Sequence, residues 1–203
     1  MTIVYTVNNA LYVNLTNRCP CACTFCIRRN GEGAYGSQSL WLEREPTLDE
    51  VNAAIDGALA ERKYGEIVFC GYGEPTERLD TLLAVSGHIR ERHPGLAVRV
   101  NTNGLSDLIA GEPTAAKFAG LVDAISISLN APDAEEYCEL CRPRFGLESY
   151  GAMLKFAAEV SKFVEKTILS IVATPDTTEE KIAACRKIAD GLGVQLRVRR
   201  YES

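Results

Sequence analysis

The sequence contains no apolar run approaching the ~18 residues of a membrane-spanning helix. Residues 1–10 also lack the charged start and apolar stretch of a secretory signal. The chain is therefore expected to reside in the cytoplasm. Positive charge is not in excess either: 22 Lys and Arg stand against 27 Asp and Glu, for a net charge of -5. General binding to nucleic acid or to a membrane surface is not expected from that balance. No repeat, low-complexity tract or Pro/Ser-rich linker divides the chain. Its 203 residues, 46% hydrophobic and 24% charged, fit one globular domain over 1–203, below the ~250–300 residues at which single cores stop growing.

Cysteine, by contrast, is plentiful. Eight are present, four of them between Cys19 and Cys26. Thiols in a cytoplasmic protein stay reduced, so a local cluster of this kind reads as metal-binding or catalytic before it reads as disulfides.

Strand-like runs at 11–16, 66–70, 97–102, 124–130, 167–174 and 195–201 alternate with helical patterns at 47–63, 78–93, 114–119, 131–140 with 150–163, and 178–192. This is an α/β pattern in which every crossover carries a helix. Within the strands the two faces differ. Ser126, Ser128 and Asn130 oppose Ile125, Ile127 and Leu129; Tyr12, Asn14 and Thr16 oppose Leu11, Val13 and Leu15. Arg99, Asn101 and Asn103 oppose Val98 and Val100; Gln195, Arg197, Arg199 and Tyr201 oppose Leu196 and Val198. A doubly wound sheet buries both faces under helices and reads apolar on both. The alternation instead predicts a partial parallel (β/α)6 barrel, an incomplete TIM-type barrel, with helices outside and a polar, ligand-filled lumen.

The first strand leads into Asn14-Leu-Thr-Asn-Arg-Cys19-Pro-Cys-Ala-Cys23-Thr-Phe-Cys26, which places the cysteines at the C-terminal, catalytic end of such a barrel. Thiolates are soft ligands suited to iron–sulfur clusters and to zinc. A tetrahedral zinc site could use all four sulfurs, but no second Cys-x2-Cys knuckle stands nearby to pair with this loop. Cys19-x3-Cys23-x2-Cys26, with Phe25 before the last cysteine, resembles the defining loop of the radical S-adenosylmethionine (radical SAM) superfamily. The resemblance implies a 4Fe–4S cluster held by Cys19, Cys23 and Cys26, with one iron open to S-adenosylmethionine. It further implies reductive cleavage to methionine and a 5'-deoxyadenosyl radical that abstracts hydrogen from a substrate. Cys21 is left as a bystander thiol.

The other strand ends extend the resemblance. Gly71-Tyr72-Gly73-Glu74-Pro75 is similar to the family's Gly-Gly-Glu-Pro element, which implies backbone acceptors for the methionine ammonium and a helping carboxylate from Glu74. Asn101, Thr102, Ser128 and Asn130 are implied contacts to the ribose or methionine portion. Arg199 is a candidate for binding a carboxylate, of the cofactor or of an anionic substrate, because guanidinium presents a fixed donor fork; Arg197, Arg28, Arg29, Arg142 and Arg144 share that ambiguity. Cys138 and Cys141 are expected to be helical thiols. His88 and His93 are read as structural, lacking carboxylate neighbours at ligand spacing.

In its short length, its Asn14-Leu-Thr-Asn-Arg-Cys-Pro20 lead-in and its Leu129-Asn-Ala-Pro132 stretch the chain resembles the branch described as TatD-associated radical proteins, and in size and the Gly-Tyr-Gly-Glu-Pro element it resembles the glycyl-radical activating enzymes. A low-potential electron donor such as flavodoxin or ferredoxin, and a protein or peptide substrate, follow as implied partners. With the chain ending just after the sixth strand, such a substrate is expected to cover the open side, ordering residues 31–36 and Trp41. The rival reading is a non-catalytic zinc-binding interaction module.

Overall fold

The computed structural model describes residues 1–29 and 31–200. One seven-stranded sheet runs in the order β1 (Val4–Val7), β2 (Ala10–Val13), β3 (Glu66–Phe69), β4 (Ala97–Thr102), β5 (Ala124–Ser128), β6 (Lys166–Ala173) and β7 (Gln195–Arg200). Among the described residues the sheet is not closed, with β1 and β7 at its two ends. From β2 to β7 every pairing is parallel, whereas β1 pairs antiparallel with β2. The helices are α1 (Leu48–Glu61), α2 (Leu79–Arg92), α3 (Ser106–Ala110), α4 (Ala134–Cys141), α5 (Glu148–Val160) and α6 (Glu179–Gly191). The fold is the expected incomplete parallel barrel with one strand added.

That added strand lies in residues the sequence reading left unassigned. Val7 pairs with Ala10 across a two-residue loop, Asn8-Asn9, with Asn8 at φ 53°. Tight hairpins require positive φ, which Asn tolerates, so the turn signal was present in a very short segment. Strand 11–16 stops at Val13, and residues 106–118 hold α3 and a short 3-10 turn, Ala115–Phe118, where a helix over 114–119 was expected. Tyr201, assigned to the last strand, lies outside the described residues.

The apolar strand face is buried as the alternation requires. Leu11, Val13, Ile67, Phe69, Val98, Val100, Ile125 and Ile127 form one core with Val51 and Ile55 of α1, Leu82, Val85 and Ile89 of α2, and Met153 and Phe156 of α5. Helix α1 begins with a capping box, in which the Thr47 hydroxyl accepts from Glu50 N and the Glu50 carboxylate accepts from Thr47 N, satisfying two otherwise orphaned donors. The concave face is less open than expected. Its lower part is filled by the Tyr5–Tyr12 ring pair and by Arg99, which donates to Glu66 at 2.7 and 3.0 Å.

No helix among the described residues is long and apolar enough to cross a membrane. The expectation for the two histidines needs correction: both rings meet the Asp56 carboxylate, brought from α1 by tertiary packing. Spacing along α2 could not disclose it.

Candidate active site

Beyond Val13 the chain leaves the sheet, and its polar residues turn to the neighbouring segment and not to an open lumen. Asn14 is wholly buried, with Nδ2 donating to Leu40 O at 2.7 Å. Thr16 donates to Glu45 at 2.6 Å, and Asn17 both donates to Leu42 O and accepts from Leu42 N. Residues 40–45 are thereby strapped across the top of β2. The cysteine loop then lies against the C-terminal end of α4, with Ala22 N donating to Cys141 O at 3.0 Å, Thr24 N to Leu140 O at 2.8 Å and Arg144 N to Pro20 O at 2.8 Å.

Arg28 braces the loop from the other side. Its guanidinium donates to the Asn17 and Cys21 carbonyls and to Cys26 Sγ at 3.4 Å. Arg29 donates to Thr24 O, and Arg144 stacks over Phe145, 3.6 Å from Glu77. These arginines hold the loop, and Arg142 and Arg197 are not among the cavity residues, whereas Arg199 lines the cavity beside Arg200 and close to Cys70.

Cys19, Cys23 and Cys26 come from one short loop and all line the same cavity. Three soft thiolates facing a cavity with room for a further ligand suit an iron–sulfur cluster. The thiols also divide into two kinds. Hydrogen bonding from Cys21 holds the Cys19 thiol below its ordinary pKa, and hydrogen bonds from Cys141 and Cys21 do the same for Cys23. As the donors in those bonds, Cys21 and Cys141 are pushed up, with burial adding to the shift. Thiolates are the metal-binding form. Cys21 and Cys141 are themselves approached by amide donors, Asn103 Nδ2 at 3.7 Å and Asn130 Nδ2 at 3.6 Å.

At the end of β3 the two glycines are required by the neighbouring loop. A Cβ on Gly71 would meet Asn14 Oδ1 at 2.1 Å, and one on Gly73 would meet the Thr16 and Arg18 carbonyl oxygens at 2.2 and 2.6 Å. Tyr72, between them, turns its ring to the apolar wall and donates to Gly31 O at 2.9 Å. Gly73→Ala should cost about 1–3 kcal/mol, as overpacking does against backbone that cannot swing away. Chemical denaturation of the cluster-free protein measures it; an unchanged midpoint would refute the contact.

Glu74 is the hub of this region. Oε1 accepts from Thr76 N, Thr76 Oγ1 and Thr102 Oγ1, and Oε2 from Asn103 N at 2.7 Å. Burial pushes its carboxyl up, while these donors pull it down. Because each oxygen takes a fixed backbone N–H, the arrangement suits the carboxylate. These bonds tie the carboxylate to β4 and to the 3-10 turn Pro75–Arg78, while Oε2, with one donor, keeps acceptor capacity at the cavity that Glu74 lines. Thr102 donates to Glu74 and accepts from Gly104 N. Glu74→Gln sets an NH2 against a backbone N–H and should lose about 1–3 kcal/mol of stability, read as a lower unfolding midpoint; a midpoint equal to the parent's would show that the amide is accommodated.

All thirteen candidate residues line one cavity of about 500 Å³: Cys19, Cys23, Cys26, Phe25, Gly71, Tyr72, Gly73, Glu74, Asn101, Thr102, Ser128, Asn130 and Arg199. That volume is within the ~300–1,000 Å³ of cofactor and ligand sites. Asn101 accepts from Arg99 at 3.0 Å, and Asn130, at φ 58°, accepts from Val172 N. Sequence reasoning missed the apolar wall of Tyr5, Ala34 and Leu40, and the inner thiol Cys141 with Tyr137 of α4. Trp41 stands edge-on to Tyr72, their centroids 5.1 Å apart, and Ala34 and Leu40 are buried.

A profile of the family described as "Radical SAM superfamily" matches residues 13–188. The chain is 32% identical over 194 residues to GTP 3',8-cyclase of Corynebacterium glutamicum (strain R), covering 92% of this chain and 47% of that protein. It is 29% identical over 167 residues to GTP 3',8-cyclase of Rhodococcus opacus (strain B4), covering 82% and 44%. The chain thus spans about half the length of these curated relatives. Among solved structures, Streptococcus suis SuiB bound to precursor peptide SuiA superposes with TM-score 0.69 at 15% identity, over 98% of this chain and 40% of that one. Native anSMEcpe with bound AdoMet superposes with TM-score 0.64 at 17% identity, over 95% and 51%. At these identities the structural likeness speaks for the fold.

Proposed function

The chain belongs to the radical SAM superfamily, and from that premise we propose that it is an enzyme whose Cys19, Cys23 and Cys26 hold the 4Fe–4S cluster used by that superfamily. Bound there, the cluster supplies the electron that cleaves S-adenosylmethionine to methionine and a hydrogen-abstracting 5'-deoxyadenosyl radical. The observation that carries the reading is the convergence of the three cysteines with the ends of β3, β4, β5 and β7 on one cavity.

The chain's own residues have separable tasks. Cys21, Cys141 and Arg28 donate toward the ligating sulfurs and hold the loop. Gly71 and Gly73 let the β3 loop approach β2's continuation, which turns backbone carbonyls toward an ammonium. Asn101, Ser128 and Asn130 serve the polar portions of the cofactor, with Glu74 and Thr102 bracing the loops that present them. Tyr5, Ala34, Leu40 and Tyr72 form a dry wall that excludes water from a radical.

The substrate in this reading is a peptide or protein segment laid along β7. Among the described residues β7 pairs with β6 alone and its side chains are largely exposed, and Arg199 and Arg200 on it also line the cavity. An unpaired edge offers backbone hydrogen bonds to an extended chain, and SuiB, which shares the fold, was solved with a precursor peptide. The arginines also favour a second reading, a nucleoside triphosphate, in keeping with the name of the curated relatives. The discriminating experiment measures 5'-deoxyadenosine formation by cluster-loaded protein with flavodoxin or ferredoxin as reductant, offered peptides, proteins or GTP. Coupled turnover with a peptide or protein is expected; coupled turnover of GTP alone would replace the first reading with the second. Anaerobically prepared protein that is colourless and free of iron would overturn both.

A further inference from the structure

On the outside of the barrel, Asp56 of α1, His88 of α2 and His93, the residue that caps α2, converge. The Nε2 atoms of His88 and His93 lie 3.0 and 2.8 Å from the same oxygen, Asp56 Oδ1. All three ligand atoms lie within 4.8 Å of one another. We propose that Asp56, His88 and His93 form a binding site for a divalent transition-metal ion of the zinc class, separate from the cysteine cavity, that ties α1 to α2.

The donor set suits the ion. Two neutral imidazole nitrogens and a carboxylate oxygen are ordinary zinc ligands, with bonds of about 2.0–2.2 Å. A tetrahedral ion bound at such lengths spaces its ligands about 3.3 Å apart, so each His–Asp56 separation needs to open by only a few tenths of an ångström, and the third separation is already within 4.8 Å. Without an ion, both rings must carry a proton on Nε2 and aim it at the one Asp56 carboxylate, His88 shared between its two oxygens and His93 on Oδ1; a divalent cation replaces the two protons. The side chains of His88, His93 and Asp56 are 22%, 27% and 34% exposed, which admits an ion and leaves a fourth position to water.

Backbone geometry brings the histidines together. Five residues apart, they would diverge on a continuous helix, but α2 ends at Arg92 and His93 turns out of helical conformation at φ -131°, ψ 59°. Helix α2 then leads into the start of β4, so the trio sits toward the N-terminal ends of the strands. The cysteine loop follows the C-terminal end of β2, on the opposite face. An ion here would staple the two helices that flank β3, a packing role independent of radical chemistry.

The test uses cluster-loaded protein under argon with zinc chloride as the probe. Calorimetric titration should give one zinc per chain, and zinc-edge X-ray absorption should show nitrogen and oxygen near ~2.0 Å with no sulfur near ~2.3 Å. Thermal unfolding should move to higher temperature with zinc. His88→Ala, His93→Ala and Asp56→Asn should each weaken binding at least about tenfold while leaving iron content unchanged, since none approaches the cysteines. The absorption spectrum separates this site from the thiols, so the result stands whether or not Cys19, Cys23 and Cys26 hold the cluster. Zinc found only with sulfur neighbours, or variants that bind as tightly as the parent, would show a hydrogen-bonded trio only.

Discussion

Cys19→Ala, Cys23→Ala and Cys26→Ala should each reduce iron from about four per chain to near zero, because two remaining thiolates cannot retain a cubane. Cys21→Ala and Cys141→Ala should keep the iron but alter the cluster. Both thiols stand as donors beside the low-pKa sulfurs of Cys19 and Cys23, and hydrogen bonds to cluster sulfurs help set its reduction potential. Removing a donor leaves the thiolate less stabilised and should lower the potential. Anaerobic reconstitution with iron and sulfide assays tests the first part, and redox titration followed by electron paramagnetic resonance the second. A full cluster in any of the first three variants, or its loss in Cys21→Ala, would rewrite the ligand set.

The contrast between these cysteines shows what a sequence carries. Spacing placed Cys19, Cys23 and Cys26 on a loop at a strand end, because a short loop and a strand terminus are local properties. The proximity of Cys141 was not legible: it depends on residues 20–24 lying against 140–144 through backbone bonds such as Ala22 N to Cys141 O. Nothing in a Cys-x2-Cys pair on a helix announces that contact. The same holds for Asp56, whose partners lie 32 and 37 residues away.

For the fold, alternation was informative wherever a strand had one apolar face, as in Ile125 and Ile127 against Ser126 and Ser128. It was misleading past the strand's end. Asn14 and Thr16 continue the polar alternation of Tyr12, yet the chain has left the sheet at Val13 and their side chains tie down Leu40 and Glu45. Alternation reports side-chain direction only while the backbone remains pleated. The Gly71-Tyr72-Gly73 element does demand close approach, here by Asn14 and the Thr16 carbonyl inside the protein. A sequence reveals that a glycine is needed more readily than what approaches it.

The second large effect concerns Asn130, where side chain and backbone make opposing demands. It follows β5 in the left-handed region, at φ 58°, which costs a residue with Cβ about 1–2 kcal/mol but which Asn tolerates. Its Oδ1 accepts from Val172 N of β6 at 3.3 Å and its Nδ2 donates to Cys141 Sγ at 3.6 Å, so one amide joins β5, β6 and the inner thiol at the cavity wall. Asn130→Ala removes both bonds and keeps the strained backbone. The resulting distortion should weaken S-adenosylmethionine binding by five- to a hundredfold, the equivalent of about 1–3 kcal/mol for an unpaired buried group. Asn130→Gly loses the same bonds but accommodates the positive φ, so it should unfold later than Asn130→Ala while binding the cofactor equally poorly. Titration of cluster-loaded variants, paired with thermal unfolding, distinguishes the cases. Affinity restored by glycine would assign the effect to backbone strain, and affinity unchanged in Asn130→Ala would remove the side chain from the cofactor site.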